Sequence, residues 1–381
     1  MKKIIVIAAV ILLVLSMAAC TSGGSNTADT SSTPPPATDD SQATATPPDT
    51  AAPASDILIG SCVYKFDDTF MTGVRNAMQA KADTLGVQLE TMDSQNKQPT
   101  QNEQVDTFIT KGVNALCINP VDLTASGPIV DKAKAAGVPI VLYNREPDAS
   151  VLQSYDQAWY VGAKAEESGV QSGTILVDNW KQHPEWDKNG DGMIQYVLLQ
   201  GEIGHQDATL RSQYSQKTLQ DAGLITGFDF DNWNQLNSCL LATDTATWDK
   251  VKATDLMKTW IASIGLDKIE AVIANNDDMA LGAIEALKAE GYNSGDASKY
   301  IPVVGVDATA PALDAMKDGS LLGTVLNDAV NQGNATVAIA YAAASGQSID
   351  KSTVGYDISD GKYVWVPYVM VTADNYTDFM N

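Results

Sequence analysis

The chain has 381 residues, 44% of them hydrophobic, and a formal net charge of −23 at pH 7. That length allows two domains with separate cores, and the composition is that of an ordinary globular protein. The negative charge disfavours nucleic acid and anionic lipid surfaces as partners.

The first elements concern export. Lys2 and Lys3 precede an apolar run, IIVIAAVILLVLSMAA, that ends at Cys20. The run is shorter than the ~20 residues of a spanning helix, its flank is positive and small residues close it, so residues 1–19 read as an export signal. A cysteine directly after Ala18 and Ala19 resembles a bacterial lipoprotein cleavage site, which predicts lipid on Cys20; the alternative is a plain secretory signal with an incidental cysteine. Residues 21–55 contain no aromatic and no large aliphatic side chain. Such a segment cannot bury enough apolar surface to offset its ordering entropy, so residues 20–55 read as a disordered tether reaching roughly 30 Å from a lipid on Cys20.

From residue 56 onward short apolar runs alternate with helical patterns, as in parallel sheets with crossover helices. The runs 57–64, 87–93, 115–120 and 139–144 are separated by FMTGVRNAMQAKADTLG, QNEQVDTFITKG and GPIVDKAKAAG, each closed by a glycine suited to a helix C-terminus. A second series of runs follows at 194–200, 238–242, 269–274, 301–306 and 322–326. The last run, YVWVPYVMVT, contains Pro367, which cannot donate to a ladder, so it is expected to be a crossover and not a central strand. Two series imply an α/β chain of two doubly wound parallel-sheet lobes. Cys62 and Cys117 lie inside apolar runs and, with Cys239, read as buried inert thiols; a Cys62–Cys117 disulfide is the alternative.

In open parallel sheets ligands bind beyond the carboxyl ends of the strands. Those ends read YKFDDTF, NREP, GEIGHQDATLR, TDTATW, NNDDMA, VDAT and NDA. They are rich in Asp, Asn, His and Arg, which read hydroxyl groups through fixed donors and acceptors, and they carry Phe70 and Trp248, which can cover the apolar face of a sugar ring. Asp68 or Asp207 taken alone reads rather as a helix cap, with the same ambiguity at Asn276, Asp307 and Asn327; Trp248 alone reads as core and His205 as a satisfied polar residue. The recurrence at nearly every strand end points to a monosaccharide site. A separate loop, DKNGDGMIQYVL, opens like an EF-hand calcium loop: Asp187, Asn189 and Asp191 fall at positions 1, 3 and 5, Gly192 at 6, the Met193 carbonyl at 7 and Gln195 at 9. Position 12 should be a bidentate Glu and is Leu198. Glu202 cannot replace it, because the following strand carries it roughly 20 Å from Gln195.

The stretches VYKFDDTFM, NREP, DKNGDGMIQYVLLQGEIGHQDA, VIANNDDMALGAIEALK and GTVLNDA resemble the periplasmic galactose/glucose-binding proteins of bacterial sugar uptake systems, from about residue 57 to the end. The resemblance implies a type I periplasmic binding protein fold, with lobes of residues 56–161 plus 329–364 and 165–326 plus 368–381 joined by three crossings. It implies a cleft that closes on one D-glucose or D-galactose, and delivery of that sugar by a monomer to the permease of an ABC transporter. It casts Phe70 and Trp248 as the aromatic sandwich, and Asp68, Asn144, His205, Asp207, Arg211, Asn276, Asp307 and Asn327 as the polar contacts. It also casts Glu270, at the start of the neighbouring strand KIEAVIANND, as the missing bidentate ligand of a structural Ca2+. Two departures stand out: Gln206 replaces the family's Pro, which is expected to loosen the turn before Asp207, and residues 225–241 look longer than the family's connection, leaving Trp233 and Cys239 without counterparts.

Other classes fit less well. His205, Asp207 and Arg211 could serve acid-base catalysis, but a monosaccharide-sized site leaves no place for a leaving group and no GxSxG nucleophile motif occurs. The sensor core of a sugar-responsive repressor shares this fold, yet the chain has an export signal and no helix-turn-helix. Presentation of bound hexose to a chemoreceptor is compatible with binding, and sequence does not separate it from transport. The expected location is the extracytoplasmic face of the membrane.

Overall fold

In the computed structural model, which describes residues 56–380, the apolar runs are strands and the periodic segments between them are helices. The export signal, Cys20 and the tether lie outside the described residues. Residues 56–380 form one compact unit.

Its first lobe is built by β1 (Leu58–Val63), α1 (Thr69–Leu85), β2 (Gln88–Asp93), α2 (Gln98–Lys111), β3 (Ala115–Ile118), α3 (Ser126–Ala136), β4 (Ile140–Tyr143), α4 (Ala149–Gln153) and β5 (Ala158–Gly162). These strands pair in parallel in the order β2-β1-β3-β4-β5. Helices cover both faces, so β3 and β4 are buried throughout and read as unbroken apolar runs. Each fully buried Leu or Ile among them contributes about 1.5–3 kcal/mol. Alternation sends Ile59, Val63 and Cys117 into one core and Cys62, Leu116 and Ile118 into the other. Cys62 and Cys117 therefore sit on adjacent strands but opposite faces of the sheet, and the disulfide alternative fails: both are free, as is Cys239. Burial raises the Cys62 thiol to about 12 and pushes that of Cys117 up as well, which makes them inert packing groups.

The second lobe runs through α5 (Ala165–Trp180), β6 (Tyr196–Gln200), α6 (Gln206–Asp221), β7 (Leu240–Thr245), α7 (Lys250–Ile264), β8 (Ala271–Ala274), α8 (Asp277–Ala289), β9 (Val303–Val304), α9 (Ala310–Lys317) and β10 (Thr324–Leu326). Its parallel order is β7-β6-β8-β9, extended to β10 by bridges from Val304 to Gly323 and Asp307 to Leu326. Helices α5 and α6 lie in close contact because Gly169 and Gly173 leave room; a Cβ at Gly169 would stand 2.8 Å from the Arg211 carbonyl. That contact fixes the axis of α6, whose first turns carry site residues.

The chain then returns: α10 (Ala329–Ala344) packs against α1 and the first sheet, followed by α11 (Lys351–Val354), β11 (Tyr363–Trp365) and β12 (Val369–Val371). β11 pairs with β5 at the edge of the first sheet and β12 pairs antiparallel with β10 in the second. The chain thus crosses between lobes at 163–164, 327–328 and 366–368. The crossover expected around Pro367 is there, flanked by two three-residue edge strands that the proline ladder argument did not foresee; Pro367 falls between them, where its missing N–H interrupts neither ladder. In both sheets the order reverses beside the first strand of the lobe, at β1 and at β6, which opens a crevice at the carboxyl ends.

Candidate functional site

The two crevices face each other. The cavity between them is lined by Tyr64, Asp68, Phe70, Met71, Asn144, His205, Asp207, Arg211, Trp248, Asn276, Asp307 and Asn327. All ten residues expected at the sugar are thus brought together from both lobes, with Tyr64 and Met71 added.

Capping and lining prove compatible. One Asp68 oxygen accepts the Met71 N–H and caps α1, while the other accepts the Tyr64 hydroxyl. Asn276 caps α8 through the Met279 N–H (3.0 Å) and still lines the cavity. Asp207 is not a cap: His205 takes that place, its Nδ1 accepting the Asp207 N–H at 3.1 Å. An accepting Nδ1 leaves the proton on Nε2 as a donor. Burial, with Arg145 and Arg211 nearby, holds His205 well below the ordinary imidazole range, so it is neutral.

Arg211 is the cationic centre. It donates to the Asn275 carbonyl (2.7 Å), the Tyr368 hydroxyl (3.0 Å) and Asp207 (3.3 Å), and its guanidinium lies 5.7 Å from the Trp248 ring. Its buried Nε has no hydrogen-bond partner among the described residues, which leaves a charged donor for a ligand oxygen. Burial raises the Asp307 carboxyl well above its ordinary range against the opposing pull of Arg211, and Asn327 donates to it at 3.3 Å.

Three lining residues have left-handed backbones: Asn144 (φ 64°), Trp248 (φ 62°) and Asp307 (φ 125°). Non-glycine residues in this region cost on the order of 1–3 kcal/mol each and persist only where their surroundings fix them. Asn144 is held by the Tyr160 hydroxyl on its carbonyl (2.9 Å) and Asn119 on its side chain (3.1 Å). Trp248 is seated on Gly201, where a Cβ would lie 2.2 Å from the indole. Gly201→Ala is therefore expected to displace the ring and weaken ligand binding by about tenfold. Calorimetry with a thermal melt checks this, a normal melting temperature with lost affinity being the expected pair.

The lobes touch around the cavity. Thr69 donates to Asp278 (2.8 Å), Arg145 pairs with Glu202 (3.1 Å) and Gln206 donates to Glu146 (3.1 Å). The turn before Asp207 is held by the His205 cap and by His205 N–H on the Glu202 carbonyl, so Gln206 adds a cross-cleft bond in place of the looseness expected of it. The cavity between the touching lobes measures about 40 Å³.

At the opposite, amino end of the second sheet lies the loop 187–195. Asp187 accepts the N–H groups of Gly190 and Gly192, and Asp191 accepts that of Met193. The Asn189 amide nitrogen donates to both Asp191 (3.0 Å) and Gln195 (2.9 Å). Glu270, just before β8, is brought against this loop, accepting the N–H groups of Lys188 (2.7 Å) and Gln195 (2.9 Å). Among the described residues no group of three or more His, Cys, Asp or Glu is gathered tightly enough to hold a metal ion. The donor chemistry nevertheless suits a hard cation: three carboxylates, two side-chain amides and a carbonyl, with acceptor oxygens of Asp191 and Gln195 converging on the neutral Asn189 amide.

Residues 59–348 match the family described as periplasmic binding protein domain. The chain is 42% identical over 332 residues to a D-galactose/methyl-galactoside binding periplasmic protein of Haemophilus influenzae, covering 87% of this chain and 94% of that one. It is 31% identical over 306 residues to a xylitol-binding protein of Mycolicibacterium smegmatis, covering 80% and 77%. Among solved structures, an ABC transporter solute binding protein from Bacillus halodurans with bound myo-inositol is similar at a TM-score of 0.69 and 30% identity, covering 87% of this chain and 99% of that one.

Proposed function

The chain belongs to the periplasmic binding protein family, whose members are binding components of transporters and not enzymes, and from that premise we propose that its cleft binds D-galactose or D-glucose outside the cytoplasm for an ABC permease. The observation that carries this reading is the convergence, from strand ends of both lobes, of carboxylates, amides, a neutral histidine and a buried arginine around two aromatic side chains. Carboxylates and amides match hydroxyls that both donate and accept, and Trp248 and Phe70 match the C–H face of a pyranose. Because the lining comes from both lobes, binding drives closure.

Calorimetry with a panel of sugars tests this. One hexose should bind in the cleft without turnover, and a micromolar constant there would correspond to about −8 kcal/mol. Trp248→Ala should weaken that binding far more than Trp233→Ala, since stacking on the ring adds roughly 1 kcal/mol or more beyond burial. Heat from a pentose or an amino acid and none from either hexose would overturn the assignment.

Two further parts of the reading concern the chain's surroundings. Lipid on Cys20 would hold the protein at the membrane through the tether, so the full-length chain should partition with membranes and Cys20→Ser should not. Recovery of that variant in salt-washed membranes would show another anchor. Asp187, Asn189, Asp191, Gln195 and Glu270, with the Met193 carbonyl, would hold a calcium ion, whose contribution at this end of the lobe is structural.

A further inference from the structure

Beside the cleft, at the carboxyl ends of β6 and β7, lies a second cavity of about 280 Å³. Its walls are Gln200 at the end of β6 and Glu202 after it, Thr243 and Asp244 at the end of β7, and Trp233 and Asn234 from the 225–241 segment that looks too long for the family. We propose that this cavity is a second saccharide site, taking one neutral pyranose.

The lining decides the class of ligand. It contains two carboxylates and no Lys, Arg or His, which disfavours phosphates and carboxylate ligands. It contains an indole beside amides, hydroxyls and carboxylates, the same combination of apolar platform and fixed polar groups that suits a sugar ring. Trp233 is half-buried: it packs on the core with Leu224 and Phe228 and contributes to the cavity wall as well. An indole anchored in this way loses little freedom on stacking a ligand. Gln200 is oriented by its bond to the Thr243 hydroxyl (2.5 Å). The position is the carboxyl edge of a parallel sheet, between neighbouring strands, where such folds bind ligands. The size is near the lower end of small-molecule pockets, roughly 300 Å³.

Glu202 stands where the lobes meet beside this cavity. It lines the cavity and also takes Arg145 across the lobes at 3.1 Å.

The proposal stands on this cavity's own lining and shares with the cleft reading only the choice of hexose as probe. The test is amide and indole NMR on the compact unit of residues 56–380, titrated with D-galactose and with D-glucose. After the cleft has saturated, continued addition should shift the Trp233 indole and the Thr243 and Asp244 amides in a weaker second event. Trp233→Ala and, as a gentler change, Asp244→Asn should each weaken that event by about tenfold or more while leaving the first intact, which also certifies the fold. No shift at these positions up to ~100 mM of either sugar, a concentration that saturates millimolar sites, would overturn the proposal. Shifts with choline and none with a hexose would overturn it equally. Failure of the cleft reading looks different, since the Trp248-dependent event would be missing whether or not the Trp233 signal moves.

Discussion

Arg211→Met is expected to weaken hexose binding by about a hundredfold or more and to lower the melting temperature of the sugar-free protein. Arg211 is 5% exposed and its partners lie in different directions, at Asn275, Tyr368 and Asp207. Its charge also opposes the desolvation of Asp207 and Asp307, both of which burial pushes toward the neutral form. Removing one partner of such a buried arrangement typically costs 3–5 kcal/mol, because charges are left without compensation. Part of that cost appears in folding. Another part appears in binding, since the Nε donor is gone. Arg211→Lys should rescue little, because an ammonium is a point charge and cannot span the three directions of the fork. Calorimetry and thermal melts on the three proteins give the comparison. A Met variant that melts normally and binds galactose or glucose within about threefold of the wild type would mean that Arg211 neither holds the carboxylates nor meets the ligand.

How much of this was legible in the sequence depends on which physical signal a residue leaves. Buried parallel strands leave unbroken apolar runs, so β1 through β4 and β6 through β10 were visible, each with its polar end. The strand β5 was not, because the crossover before it contains only the five-residue α4 and so lacks the long periodic segment that marks such a unit. Helix α2 starts at Gln98, three residues before the expected start, since Pro99 sits in the first turn, where its missing N–H is not needed. At the site, the choice between cap and ligand contact was posed too sharply: a carboxylate has two oxygens, and Asp68 uses one for α1 and the other for Tyr64. Tyr64 itself was missed although it stands in the same motif, and only its hydroxyl on Asp68 singles it out. The left-handed backbone of Trp248 leaves no trace in the sequence, because the usual marker of that conformation is a glycine or an asparagine. The glycine that matters is forty-seven residues away by number, at 201, and its role is to leave room.

Removing calcium, or replacing Glu270 with Gln, is expected to lower the melting temperature while leaving hexose affinity nearly unchanged at 25 °C. The reason is position. The loop 187–195 and Glu270 stand at the amino ends of β6 and β8, and the cleft stands at their carboxyl ends. β6 has five residues, so at ~3.3 Å per residue the two sites are about 16 Å apart along the strand. An ion binding the folded loop and not the unfolded chain would stabilise the protein by about 2.7 kcal/mol at a hundredfold excess over its dissociation constant. Glu270 needs care as a probe, because its carboxylate also accepts the N–H groups of Lys188 and Gln195. An amide in its place puts a donor against a donor and costs stability with or without metal. The discriminating quantity is therefore the rise in melting temperature on adding calcium, which should be large in the wild type and small in Glu270→Gln and in Asp187→Asn. Magnesium should substitute poorly, since it demands tighter octahedral geometry than a loop of mixed carboxylates, amides and a carbonyl supplies. If chelation leaves melting unaltered in protein shown by elemental analysis to have carried calcium, the loop is a turn closed by its own hydrogen bonds and the ion has no structural part in the lobe.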